Sequence, residues 1–354
     1  MLDSLPYIPS DIVFQILSRT PTLPLLQTYR TVSKEWNSII REPTFLPEYC
    51  RNTGNLSGFI LQVPYLCDRY RSNFASLDGA ASSFPNLPED VQILAASSTT
   101  GILCCLKMGK THRDGGRYHV CKPATGQWKS LPNPKLRYVT KSVSILVLGS
   151  NPVRFKIVRI SKDYRPSRDP RRRRHRCEVF DSGSWRWNQI CLFDPPDGEF
   201  MTNKHHVSVG TRVYWKTSNE NIMAFDGRTD SFISGVPIPE ELRDGRTRLT
   251  EMDGKLGLIV ARDGGIAELR LMKGEEGRWE KEIEIDVEEA NRKRFVYHPH
   301  VEGFCNRGIA FLVGFWSVKV YKIGEGSITD LPLPGKTHPL EVFPFRSDFE
   351  PLPF

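Results

Sequence analysis

Apolar side chains recur along this chain with two different periods. Over the first fifty residues they come at helical intervals. Ile12 and Ile16, then Val13 and Leu17, stand four apart, and Trp36, Ile39 and Ile40 form a later group. Beyond residue 55 the pattern changes to short apolar runs bounded by Gly, Asp or Asn, which is the mark of strands joined by tight turns.

The helical stretch predicts three short helices. Ser10 is placed to cap the first, Asp11 falls in its first turn, and Pro21 closes it. Thr22 caps the second, with Pro24 in its opening turn and Leu25, Leu26 and Tyr29 on its apolar face. Ser33 caps the third, and Pro43 follows its end. Isolated helices shorter than about 12–15 residues do not hold in water. No cysteine precedes Cys50 and no histidine precedes His112, so no local staple is available. The apolar faces therefore dock on the rest of the chain or on another protein, and the pattern leaves both open.

The strand-rich remainder repeats itself. A short strand, a Gly- or Asp-containing turn and an aromatic or aliphatic residue opening another strand recur, with markers at Phe84, Trp128, Trp185, Phe232, Trp279 and Ile328. Upstream of most markers lies a second element, such as TGILCCLKM or MDGKLGLIVAR. A period near about 50 residues with four strands per copy matches a kelch-like propeller blade, and six copies predict six blades. A β-sandwich or a less regular barrel is the alternative. The tryptophans after the turns are read as blade-packing residues. The fold class expected is therefore multidomain α+β: a small all-α unit of three short helices at residues 1–50, an all-β kelch-like propeller at 51–346, and a tail at 347–354.

Two resemblances sharpen this. Ile8-Pro9, Ile12, Ile16-Leu17, Pro21, Leu25-Leu26 and Val32-Ser33-Lys34-Glu35-Trp36 follow the order and spacing of an F-box, in the form common in plant proteins. Ile8, Gln15, Gln27 and Pro24 depart from the usual pattern. Gly101 to Cys105, Val120 to Trp128, Val213-Tyr214-Trp215, Ala224-Phe225-Asp226 and Gly254-Lys255-Leu256 resemble the F-box-associated domain, a kelch-like propeller. The resemblance implies a substrate-recognition subunit of a Skp–cullin–F-box ubiquitin ligase. Ile8, Pro9, Ile12, Ile16, Leu17, Pro21, Leu25, Leu26, Val32 and Trp36 would contact a Skp-type adaptor, which joins a cullin–RING scaffold. The propeller would hold a protein substrate, whose identity the sequence does not name. Such a subunit is not an enzyme, so no catalytic residue and no cofactor is expected. Two rivals stay open: a propeller enzyme with an F-box-like helical extension, and a scaffold acting outside a ligase.

Charge changes the picture at one place only. The net charge is +8, and residues 162 to 176 supply +6 of it through eight Lys/Arg against two Asp. Arg171, Arg172, Arg173 and Arg174 in that stretch read as a solvated loop, a nuclear-import signal or a contact for an acidic partner. Tyr164 is its lone aromatic, which disfavours nucleic-acid binding. No apolar run is long enough to cross a membrane, and the opening MLDSLPYIPSD lacks the regions of a signal peptide. The expected location is cytoplasmic, nuclear or both. The eight cysteines show no C-x-x-C spacing and read as free thiols.

Motifs for other chemistry fail on inspection. Met108-Gly109-Lys110-Thr111 suggests a P-loop, yet position 104 holds Cys where the motif needs Gly. His205 and His206 are adjacent and would point to opposite faces of a strand. His298 and His300 could share a face but lack a third ligand, so no metal site is expected.

Overall fold

The computed structural model describes residues 8–20, 28–40, 42, 44–45, 48, 52, 56–66, 69–76, 81–83, 87–107, 109, 116–135, 139–150, 152–162, 174–193, 201–243, 246–274, 277–287, 300–314, 317–331, 333, 341–347 and 351–353. Two helices are described near the start, α1 (Ser10–Ser18) and α2 (Lys34–Ile40).

Twenty-four strands follow. They are β1 (Leu56–Leu66), β2 (Arg69–Ser76) and β3 (Ala81–Ser83), then β4 (Val91–Ala96), β5 (Leu103–Lys107), β6 (Arg117–Lys122) and β7 (Gln127–Ser130). Next come β8 (Thr140–Ser150), β9 (Val153–Lys162), β10 (His175–Asp181) and β11 (Arg186–Phe193), then β12 (Met201–Val209), β13 (Arg212–Thr217), β14 (Asn221–Asp226) and β15 (Ser231–Pro237). The last are β16 (Thr247–Met252), β17 (Lys255–Ala261), β18 (Ile266–Lys273) and β19 (Arg278–Asp286), β20 (His300–Asn306), β21 (Ile309–Val313), β22 (Val318–Lys322) and β23 (Ser327–Leu331), and finally β24 (Glu341–Ser347).

These strands form six four-stranded antiparallel sheets. Five are consecutive in the chain. The sixth runs β24-β1-β2-β3, so the last strand pairs with the first, from Leu56 opposite Ser347 to Gln62 opposite Glu341. The strands β4, β8, β12, β16, β20 and β24 touch one another in that cyclic order, which makes them the inner ring of a six-bladed propeller. Closure through β24 leaves the first blade without an unpaired inner edge.

The core lies between blades. Tyr118 and Val120 of blade 2 (β4–β7) pack with Val143, Ile145 and Phe180 of blade 3 (β8–β11), and comparable clusters fill other seams. Predicted markers Trp128, Phe232, Trp279 and Ile328 open the outermost strands, opposite Cys121, Phe225, Met272 and Tyr321. In blade 3 that register position belongs to Trp187, opposite Phe180, and not to Trp185. Trp185 instead sits in the preceding turn at φ 55°. Two tryptophans two residues apart fit the repeat equally well, and strand pairing selected the second. Phe84 lies outside the described residues.

Strand direction sorts the connections onto two faces. One face carries the turns from first to second and third to fourth strand, all short, such as 210–211, 253–254 and 123–126. The strand ends that lead into the links between blades and from second to third strand, among them those flanking 108–116, 163–174, 287–299 and 332–340, lie on the opposite face.

Candidate functional site

The helical unit has an inner and an outer side. Val13 and Leu17 of α1, Ile39 of α2 and Phe45 are buried together with Ala124, which belongs to the turn between β6 and β7. Phe14 meets Phe45 edge-on at 5.3 Å, and Tyr29 meets Trp36 edge-on at 5.7 Å. The unit therefore packs on the short-turn face of blade 2. The N-cap of α1 is Pro9, which makes no side-chain cap, so the expected cap at Ser10 is corrected. The Ser10 hydroxyl donates instead to Glu35 Oε1 across the helix pair, 2.7 Å away. At α2 the expectation holds: Ser33 Oγ accepts from the Trp36 backbone N–H at 3.0 Å.

Of the residues assigned to adaptor contact, Ile8, Ile12, Ile16 and Val32 are exposed at 49%, 42%, 53% and 59%. Ile12 and Ile16 are spaced by four and share one face of α1, and Ile8 lies just ahead of its N-cap. Pro9 is exposed and Trp36 is half-buried. Leu17 is fully buried, on the inner side. Pro21, Leu25 and Leu26 lie outside the described residues. Large apolar side chains left in water along one row cost about 0.8 kcal/mol per CH₂ until something covers them. The docking partners Phe45 and Ala124 were not foreseen, because nothing local marks an alanine in a turn as a contact for a distant helix.

The second surface is the central channel, a cavity of about 390 Å³ lined by residues from all six inner strands. Near the starts of β16, β20 and β24 stand Arg248, Glu302 and Glu341. Arg248 Nη1 pairs with Glu302 Oε2, and that oxygen also meets His300 Nε2 at 3.0 Å. Burial pulls the Arg248 guanidinium down to about 10, with the Glu341 charge opposing. Burial likewise pulls His206 down to about 4, against its hydrogen bond to the Val143 backbone, so this ring is neutral near pH 7. Sequence spacing could not show this group, because its members come from strands far apart in the chain.

No group of three or more His, Cys, Asp or Glu poised to hold a metal occurs among the described residues. His298 and Arg171 to Arg173 lie outside them, as do Met108, Lys110 and Thr111. Arg174 is half-buried just before β10. No described helix is long and apolar enough to cross a membrane.

Comparison with known proteins agrees with both halves. A family model described as "F-box domain" matches residues 5–48, and one described as "F-box associated beta propeller domain" matches residues 59–315. In Arabidopsis thaliana, F-box protein At5g41720 is 32% identical over 162 residues, covering 43% of this chain and 84% of that protein. F-box protein At3g49450 is 26% identical over 204 residues, 53% of this chain and 49% of that protein. F-box protein At5g49610 is 24% identical over 268 residues, 72% of each.

Proposed function

The chain belongs to the plant F-box proteins that carry an F-box associated beta propeller domain, and from that we propose that it is the substrate-recognition subunit of a Skp–cullin–F-box ubiquitin ligase. The observation that carries the reading is the split character of the helical unit. Its inner side anchors on Ala124 of the propeller, while Ile8, Ile12, Ile16 and Val32 stay exposed. Such a row suits a helix-in-groove contact with a Skp-type adaptor, in which burial supplies the affinity. Pro9, Pro21, Leu25, Leu26 and Trp36 belong to the same proposed surface.

The propeller's long-connection face lies opposite the face that holds the helical unit. We assign protein-substrate recognition to that face, since loops carried on a rigid scaffold suit binding. The role is non-catalytic. The subunit would act by proximity, holding a substrate near the conjugating machinery and raising its effective concentration. Work in cytoplasm or nucleus follows from the same reading.

The test is co-expression with a Skp-type adaptor and measurement of the complex mass by light scattering. A 1:1 complex is expected, and Ile12→Asp/Ile16→Asp should abolish it. Absence of any complex with a folded wild-type chain would sink the ligase reading.

A further inference from the structure

Among the described residues two cysteine pairs sit inside the propeller, and their surroundings differ. In blade 2 the sulfurs of Cys105 and Cys121 are 3.8 Å apart and both residues are buried. Burial, then the contact with Cys121, pushes the Cys105 thiol well above the ordinary range. In blade 3, Cys177 of β10 is the register partner of Cys191 of β11. Cys177 is buried, whereas Cys191 lies on the outermost strand and is only half-buried. The two side chains face each other across the β10–β11 pairing.

We infer that Cys177 and Cys191 are a redox modification site, closing to a disulfide when the protein meets hydrogen peroxide. Register partners on antiparallel strands project from one face with Cβ atoms about 4.5–5.5 Å apart. A disulfide needs about 3.5–4.5 Å. The strand register shifts directly after Cys177, and such an irregularity can absorb the remaining movement.

The chemistry follows from the asymmetry of the pair. The Cys177 thiol opposite favours the Cys191 thiolate and brings that group down to about 7, against the opposing effect of burial. The neighbouring Cys191, then burial and the charges of Asp230 and Glu178, raise Cys177 well above the ordinary thiol range. The accessible sulfur is thus the nucleophile and the enclosed one the resolving thiol. Cys191 sulfur attacks a peroxide oxygen, the O–O bond breaks, and hydroxide leaves to become water. Cys177 sulfur then attacks the Cys191 sulfenic acid, the S–O bond breaks, and hydroxide leaves with the Cys177 proton as a second water. The two sulfurs lose two electrons and the peroxide gains them. Cys105 and Cys121 also lie on neighbouring strands but have no exposed member, so peroxide does not reach them.

The experiment uses the full-length chain, exposed to hydrogen peroxide, alkylated and digested without reductant for mass spectrometry. The expected product is one linked peptide pair, Cys177 with Cys191, and an unlinked Cys105 and Cys121. Before oxidation, iodoacetamide should modify Cys191 at least about tenfold faster than Cys104, Cys105 or Cys121. Cys177→Ala should hold Cys191 as a sulfenic acid that dimedone traps. If that variant does not fold, the wild-type map decides. Cys191 remaining unlinked, advancing to sulfinic acid, or joining a different cysteine would overturn the assignment. So would linkage of Cys105 to Cys121 at an equal rate.

Discussion

Replacing Ile12 and Ile16 together by alanine should separate the two sides of α1. Ile12 keeps 42% and Ile16 keeps 53% of its surface in water. Full burial of an isoleucine contributes about 1.5–3 kcal/mol. Covering the half that remains exposed contributes about 0.7–1.5 kcal/mol per residue. The pair thus accounts for about 1.5–3 kcal/mol of adaptor affinity, a weakening of roughly 10- to 100-fold. The fold should not notice, since alanine is the best helix former and exposed substitutions stay within about 0.5 kcal/mol. Leu17→Ala is the mirror case. That side chain is fully buried among Val13, Ile39 and Phe45, and its truncation should cost the helical unit about 2–5 kcal/mol. Calorimetric titration with a purified Skp-type adaptor reads the first effect, and urea unfolding followed by circular dichroism at the helix band reads the second. Wild-type adaptor affinity in Ile12→Ala/Ile16→Ala would remove the exposed row from the interface. A loss of stability equal to that of Leu17→Ala would mean that the inner and outer sides are reversed.

Three further outcomes follow from the propeller. Glu178→Gln should cost about 3–5 kcal/mol in urea unfolding, because it removes the buried carboxylate charge that faces both the Arg159 and the Arg176 guanidinium, while Arg159 keeps its hydrogen bonds to Tyr118 and Thr140; a loss below about 1 kcal/mol would refute the charge-pairing argument. His206 has a folded value of about 4 against an ordinary 6.5, so below pH 6.5 the unfolded chain takes up a proton that the folded chain refuses. Stability should fall with decreasing pH between about 6.5 and 4, by at most about 1.4 kcal/mol per unit from this group; His206→Gln should flatten that part of the profile, and an unchanged slope would count against the assignment. Gly101 has φ +68° and an added Cβ would stand 2.2 Å from Ser347 Oγ, so Gly101→Ala should press on the end of the closing strand and cost about 1–3 kcal/mol; a melting temperature equal to wild type would show that Ser347 yields freely.

Much of the fold was legible because its signals are local. A strand's alternation, a glycine at positive φ such as Gly126, and an aromatic after the turn all lie within a few residues of one another. Six repeats of that unit announce six blades before any contact is known. The F-box order of Ile8-Pro9, Ile12, Ile16 and Val32 to Trp36 is equally local, and so is the Ser33 cap.

Other features needed the folded chain. The stripes Ile12/Ile16 and Val13/Leu17 differ by one step around the helix, and both are apolar. Only contact with Phe45 and Ala124 decides that the second turns inward. Ser10 had a capping role open to it and gave its hydroxyl to Glu35, a residue brought close by the crossing of α1 and α2. Trp187 took the marker position over Trp185 because cross-strand register with Phe180 is a two-strand property. The channel group of Arg248, Glu302, Glu341 and His206 exists because ring closure through β24 brings four inner strands to one axis. Periodicity along one segment specifies which faces are apolar. The choice of what each face meets depends on loop closure over hundreds of residues, where sequence spacing carries no signal.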